Sequence, residues 1–116
     1  MFLIKEGVKL LGVKPHTVAA MQIAGTLYYS NEGRPLVITS VKDGSHDVTG
    51  GHATGEAFDI RSKSFSGTTP SNAIENKKAF VTSLQQILGD QWLVLLEGLD
   101  TPNEHIHVQL KQVFRT

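Results

Sequence analysis

The chain has 116 residues, 40% hydrophobic and 19% charged, which suits one compact domain spanning residues 1–116. Eleven basic and eleven acidic side chains cancel to a formal charge of zero, with no basic run, so the positive field that recruits nucleic acid or an anionic membrane surface is not expected. With no cysteine, disulfides and thiolate metal sites are excluded.

The opening MFLIKEGVKLLGVKP has Glu6 and Lys9 among its apolar residues, which reads against a signal peptide or a bilayer span. Pro15 suits a helix's first turn. The residues that follow predict a largely buried helix over 15–31, closed by Gly33. Ala20, Ile23, Ala24 and Leu27 form one apolar stripe of it, and Met21, Gly25 and Tyr28 a second. The β-branched run in RPLVITSV predicts a strand over 36–41, and the Gly, Asp, Ser and Thr of 42–54 a loop.

EAFDIR alternates, with Ala57 and Asp59 on one side and Phe58 and Ile60 on the other, as a strand does. KSFSGTT reads as a second loop. Thr69 as N-cap, Pro70 at the first helical position, and Ile74, Val81, Leu84 and Leu88 at helical spacing predict a helix over 70–88, ended by Gly89. WLVLLE and HIHVQLK read as antiparallel strands joined by the turn GLDTPNE. The fold class expected is α+β, a small antiparallel sheet with helices packed on one side.

Four of the five histidines fall in two short segments, His46 and His52 in one, His105 and His107 in the other. A hydrolytic metal needs three protein ligands and an open position. His52, Asp59 and His107 make a two-histidine, one-carboxylate set drawn from three places. The ordinary alternative is that these are loop and strand polars, with Asp59 pairing to Arg61 or a lysine. His105 and His107, two apart, share a strand face, and His105 is placed to hydrogen-bond a developing oxyanion. A general base is also needed, and both Glu97 and Glu104 are candidates. Alternation puts Glu104 on the face opposite the histidines and favours Glu97, which lies on the side of Leu93 and Leu95; a bulge would restore Glu104. His46 reads as lining the same cleft or as a loop polar. His16 reads as a helix-end residue with no role.

The segments VITSVKDGSHDVTGGHATGEAFDIR and WLVLLEGLDTPNEHIHVQL resemble the zinc D-alanyl-D-alanine carboxypeptidase family, which shares its fold with the hedgehog signalling domain. The resemblance is strongest to small phage-associated members and covers nearly the whole chain. Its motifs fall on Thr39, Ser40, Asp43, Gly44, His46, His52, Gly55, Ala57, Asp59, Ile60 and Arg61, then on Glu97, His105 and His107. The resemblance implies a hedgehog/DD-peptidase-like fold, Zn²⁺ held by His52, Asp59 and His107, Glu97 as general base, and His105 steadying the transition state. It implies hydrolysis of peptidoglycan stem peptides, by a carboxypeptidase or an endopeptidase. The chain departs from the pattern at Gly50, where many members have Ser, at Lys42, near where many carry Arg, and in its longer turn between Glu97 and His105.

Two other readings differ in class. One is a zinc-binding recognition module without catalysis on the same fold. The other is a non-haem iron oxygenase, which also uses two histidines and a carboxylate but is usually built on a larger β-rich barrel. The partners expected are a peptidoglycan peptide but neither nucleic acid nor membrane, with the chain acting as a monomer or as one module of a larger assembly. Without a signal peptide, a cytoplasmic product released at phage lysis or a virion-associated module is expected.

Overall fold

Two proline-to-glycine intervals frame the helices. In the computed structural model, which describes residues 2–10, 12–42, 56–63, 65 and 70–111, the first helix (α1) runs Pro15–Glu32 and the second (α2) Pro70–Leu88. Gly33 follows α1 at φ 73° and returns its N–H to the Tyr29 carbonyl at 2.8 Å. Gly89 does the same for α2 at φ 91°, donating to the Gln85 carbonyl at 3.0 Å. Both are left-handed caps that glycine enters without steric cost. Thr69, expected to cap α2, lies outside the described residues, as do residues 43–55 of the first expected loop.

Five strands complete the fold: β1 (Phe2–Ile4), β2 (Leu36–Lys42), β3 (Ala57–Arg61), β4 (Trp92–Glu97) and β5 (His105–Leu110). They form one sheet in the order β1-β2-β3-β5-β4. The expected sheet was purely antiparallel; the observed one is mixed. The short β1 pairs in parallel with β2, Phe2 opposite Leu36 and Ile4 opposite Ile38, with α1 as the crossover between them. A three-residue strand carries too little alternation to be read locally, and its pairing partner lies a whole helix away.

The helices lie against one face of the sheet. Ala20, Met21, Ala24 and Tyr28 from α1 and Phe80 and Leu84 from α2 join Ile38, Phe58, Ile60, Val94, Ile106 and Val108 in a single core. Tyr28, Phe65 and Phe80 meet edge-on in pairs, with ring centroids 5.0–6.0 Å apart, the arrangement aromatic quadrupoles favour. Only one of the two stripes expected on α1 is fully used. The buried line is Thr17, Ala20, Met21, Ala24, Gly25 and Tyr28, whereas Ile23 is exposed. A helix apolar on most sides gives periodicity no preferred face, and the side carrying Ala20, Ala24 and Gly25 packs inward. Gln85 then ties α2 to the edge strand β4: its amide N–H groups donate to the carbonyls of Gly89 and Trp92, and its oxygen accepts from the Val94 N–H at 3.0 Å.

Candidate metal centre

Strand alternation sends every second side chain away from the helices. Because Phe58, Ile60, Ile106 and Val108 face the core, Asp59, Arg61, His105, His107 and Gln109 emerge together on the open face. Register decides which of them meet. Asp59 is directly opposite His107, and Arg61 opposite His105, in the β3–β5 pair. On the other flank Glu97 is opposite His105 and Leu95 opposite His107. The β2–β3 register shifts between Ile38 and Ser40. This bulge brings Ser40 opposite Asp59 and lets the Thr39 hydroxyl approach the Asp59 carbonyl at 3.4 Å.

The side chains converge accordingly. His107 Nδ1 is 2.8 Å from Asp59 Oδ1, and its Nε2 is 2.8 Å from Gln109 Oε1. His105 Nε2 lies 2.9 Å from Glu97 Oε1 and 3.9 Å from Asp59 Oδ1, while its Nδ1–H donates to the Asn103 carbonyl at 2.7 Å. One ligand atom from each of Asp59, His105 and His107 falls within 4.8 Å of the others. His107 is nearly buried and Asp59 and His105 partly so, while Glu97 stands at the solvent edge.

Both imidazoles face acceptors through both ring nitrogens, which favours the doubly protonated cation. For His107 the Asp59 hydrogen bond is the largest influence, outweighing burial and raising the pKa above 6.5 with help from Gln109 and the charges of Asp59 and Glu97. For His105 partial burial opposes the charged form most strongly. The Asn103 carbonyl and the carboxylates of Asp59 and Glu97 together overcome it, and the pKa again rises above 6.5. A cation taken by either imidazole would therefore compete with a proton for the ring nitrogen it uses.

The turn between Glu97 and His105 is folded on itself. Gly98 sits at φ 66°, where an added Cβ would come 3.0 Å from Thr101 Oγ1 and 3.1 Å from the Asn103 carbonyl oxygen. Thr101 donates to the Gly98 carbonyl from both its N–H at 2.9 Å and its hydroxyl at 2.6 Å, and the Glu104 N–H closes on the Thr101 carbonyl at 3.1 Å. The turn closes within these contacts, and Glu97 and His105 face each other across regular β4–β5 pairing. Glu104 belongs to another network. Its carboxylate accepts from Ser62 Oγ at 2.7 Å, Lys77 Nζ at 2.6 Å and the Asp100 N–H at 3.0 Å. Burial opposes its ionisation, but the ammonium and the two other donors win and bring its pKa down to about 2. A carboxylate so held is a poor proton acceptor near neutral pH.

Of the residues picked out from the sequence, Asp59, His107, His105 and Glu97 are brought together, and Glu104 is not. His52 and His46 lie outside the described residues. His16, read as a helix-end residue, meets Glu56 Oε1 at 2.6 Å and packs edge-on to Trp92. Two contributions were not foreseen. His105 stands among the possible metal donors and not only beside them, and Gln109 contacts His107; the repeat of polar residues at 105, 107 and 109 on one strand face was the available signal.

Zinc–nitrogen and zinc–oxygen bonds of about 2.0–2.1 Å put tetrahedral donors about 3.3 Å apart, between the observed Asp59–His107 and Asp59–His105 spacings of 2.8 and 3.9 Å. The Asp59–His105–His107 group could therefore hold a metal ion. No family model, curated protein or solved structure matches the chain.

Proposed function

We propose that the chain is a zinc-dependent metallopeptidase of hedgehog/DD-peptidase-like fold that hydrolyses peptide bonds of peptidoglycan stem peptides. The observation that carries this reading is the convergence of Asp59, His105 and His107 within 4.8 Å on the open face of the sheet, with the Glu97 carboxylate 2.9 Å from His105. The sequence motifs that resemble the zinc carboxypeptidases fall on these same residues. Asp59 and His107 would hold the ion, with His52 as the third ligand that the resemblance implies.

A divalent ion supplies Lewis acidity to a peptide carbonyl and makes water nucleophilic near neutral pH. Glu97, at the solvent edge, takes the proton from the attacking water and passes it to the leaving amine. His105, fixed by its Nδ1–H donation to the Asn103 carbonyl, presents Nε2–H to the oxygen that gains charge as the carbonyl is attacked. With one His107 ring nitrogen given to the ion, Gln109 Oε1, 2.8 Å from Nε2, would accept from the other and orient the ring.

The test is to incubate zinc-loaded protein with defined stem-peptide fragments and identify products by mass spectrometry. Cleavage that falls by about 10²–10⁴-fold in Glu97→Gln, with zinc retained, is the expected result. A zinc-loaded protein inert toward every fragment points instead to the non-catalytic recognition module. Iron recovered in place of zinc from protein purified without added metal would favour the oxygenase.

A further inference from the structure

The outer edge of β4 carries a row of backbone groups that the described residues leave unmatched. Lys111 N–H donates to the Gln91 carbonyl at 2.7 Å, so along the β4–β5 ladder Leu93, Leu95 and Glu97 turn their backbone groups toward β5. Trp92, Val94 and Leu96 turn theirs outward. Part of that edge is closed from within the chain. Trp92 N–H donates to the Gly89 carbonyl, and the Gln85 amide takes the Trp92 carbonyl and the Val94 N–H. Past Leu96, the Gly98 carbonyl accepts from Thr101. What is left is the Val94 carbonyl, the Leu96 N–H and carbonyl, and the Gly98 N–H, none with a partner among the described residues. Natural sheets guard an open edge with a short strand, a proline, a lysine or a bulge. At the opposite edge β1 has three residues. β4 has six, WLVLLE, with neither proline nor lysine, and pairs with β5 in unbroken register.

We propose that this edge pairs, antiparallel, with the same edge of a second copy of the chain, about a two-fold axis midway between the two Leu96 residues. The pattern is its own complement. With Leu96 opposite its counterpart, the two residues exchange both N–H···O bonds. Gly98 N–H of each copy then meets the Val94 carbonyl of the other. The groups left facing one another, Val94 N–H and the Gly98 carbonyl, are those already satisfied by Gln85 and Thr101. A foreign strand would have to match that gap by chance; the identical edge matches it by symmetry. The side chains agree. The two Leu96 side chains, each packed at the border of the core, meet on the helix side. Leu95, 38% exposed, falls opposite Glu97 of the second copy on the open face. Two five-stranded sheets become one, with the helices on one side and both metal groups on the other. Each copy thereby lends Leu95 as a wall beside the other's Glu97. The pairing stands independently of the peptidase reading.

The test joins sedimentation velocity of the full chain in chelator, from micromolar to millimolar concentration, with residue-resolved amide exchange. A monomer–dimer equilibrium is expected, with the Leu96 and Gly98 amides exchanging at least about tenfold more slowly in the dimer. The Val94 amide, already held by Gln85, should change less. Leu95→Glu sets carboxylates directly opposite each other across the pair, at a position outside the core. It should weaken dimerisation at least about tenfold. Leu96→Pro removes the central donor and should do the same, whereas Leu96→Val, which keeps the N–H, should still dimerise. A chain that stays monomeric at millimolar concentration overturns the pairing. So does a dimer whose Leu96 and Gly98 amides exchange as fast as in the monomer. Protection that appears in monomeric protein only when a stem peptide is added also overturns it, and gives the edge to the peptide.

Discussion

Replacing Glu104 by Gln removes a charge on which separate parts of the fold converge. Its carboxylate joins the residue after β3 (Ser62), the body of α2 (Lys77) and the turn that carries Glu97 into His105 (through the Asp100 N–H). The carboxylate side chain is 5% exposed and that of Lys77 12%, so solvent screens the pair little. The Glu104 pKa falls from 4.5 unfolded to about 2 folded; at 1.36 kcal/mol per unit this corresponds to about 3 kcal/mol of stability at pH 7. The folded pKa is the depressed one. The contribution is therefore complete above the unfolded value of 4.5 and is lost as pH falls through about 2, with less than half of it left at pH 3. Urea unfolding of metal-free wild type and Glu104→Gln at both pH values measures the difference directly and cancels all other titrations. A gap of about 3 kcal/mol at pH 7 that falls by more than half at pH 3 is expected. Adding Lys77→Met should recover part of the loss, because the stranded ammonium accounts for some of it. A gap below about 1 kcal/mol at pH 7, or one that does not change with pH, would refute the reasoning.

Three further outcomes follow from the same geometry. Because both site imidazoles hold protons above their usual pKa in the metal-free protein, zinc binding should release protons and weaken as pH falls from 8 to 6, seen as a buffer-dependent heat in calorimetry. The raised pKa of His107 also means that its contribution to metal-free stability is complete below 6.5 and lost as pH rises through the folded value. His107→Gln should therefore destabilise more at pH 6 than at pH 9 in thermal melts taken with chelator. Gly98→Ala places a Cβ at φ 66° against Thr101 and Asn103, and should cost about 1–2 kcal/mol and lower turnover more than zinc affinity; unchanged turnover would separate the turn from the placement of Glu97. Phe80→Ala, which empties the centre of the aromatic cluster, should cost about 3–5 kcal/mol in urea unfolding while the folded fraction keeps its zinc affinity.

Much of the scaffold could be read directly from the chain. Pro15 with Gly33, and Pro70 with Gly89, mark the helix limits to within a residue because caps are set by the backbone preferences of the residues themselves. The alternation of HIHVQLK places His105 and His107 on one side, and that of WLVLLE places Glu97 with Leu93 and Leu95, because a strand's period of two is a property of the local backbone. Those signals need no partner.

Only the tertiary structure decided what meets what. The parallel pairing of β1 with β2 depends on a crossover helix, and the meeting of Asp59 with His107, 48 residues apart, depends on the β3–β5 register. Where Glu104 lies was likewise a tertiary matter, fixed by Lys77 and Ser62, which stand 27 and 42 residues away along the chain. Periodicity reports which way a side chain points, but register comes from burying the apolar face of every strand at once, which places Asp59 opposite His107 when Phe58, Ile60, Ile106 and Val108 go inward together.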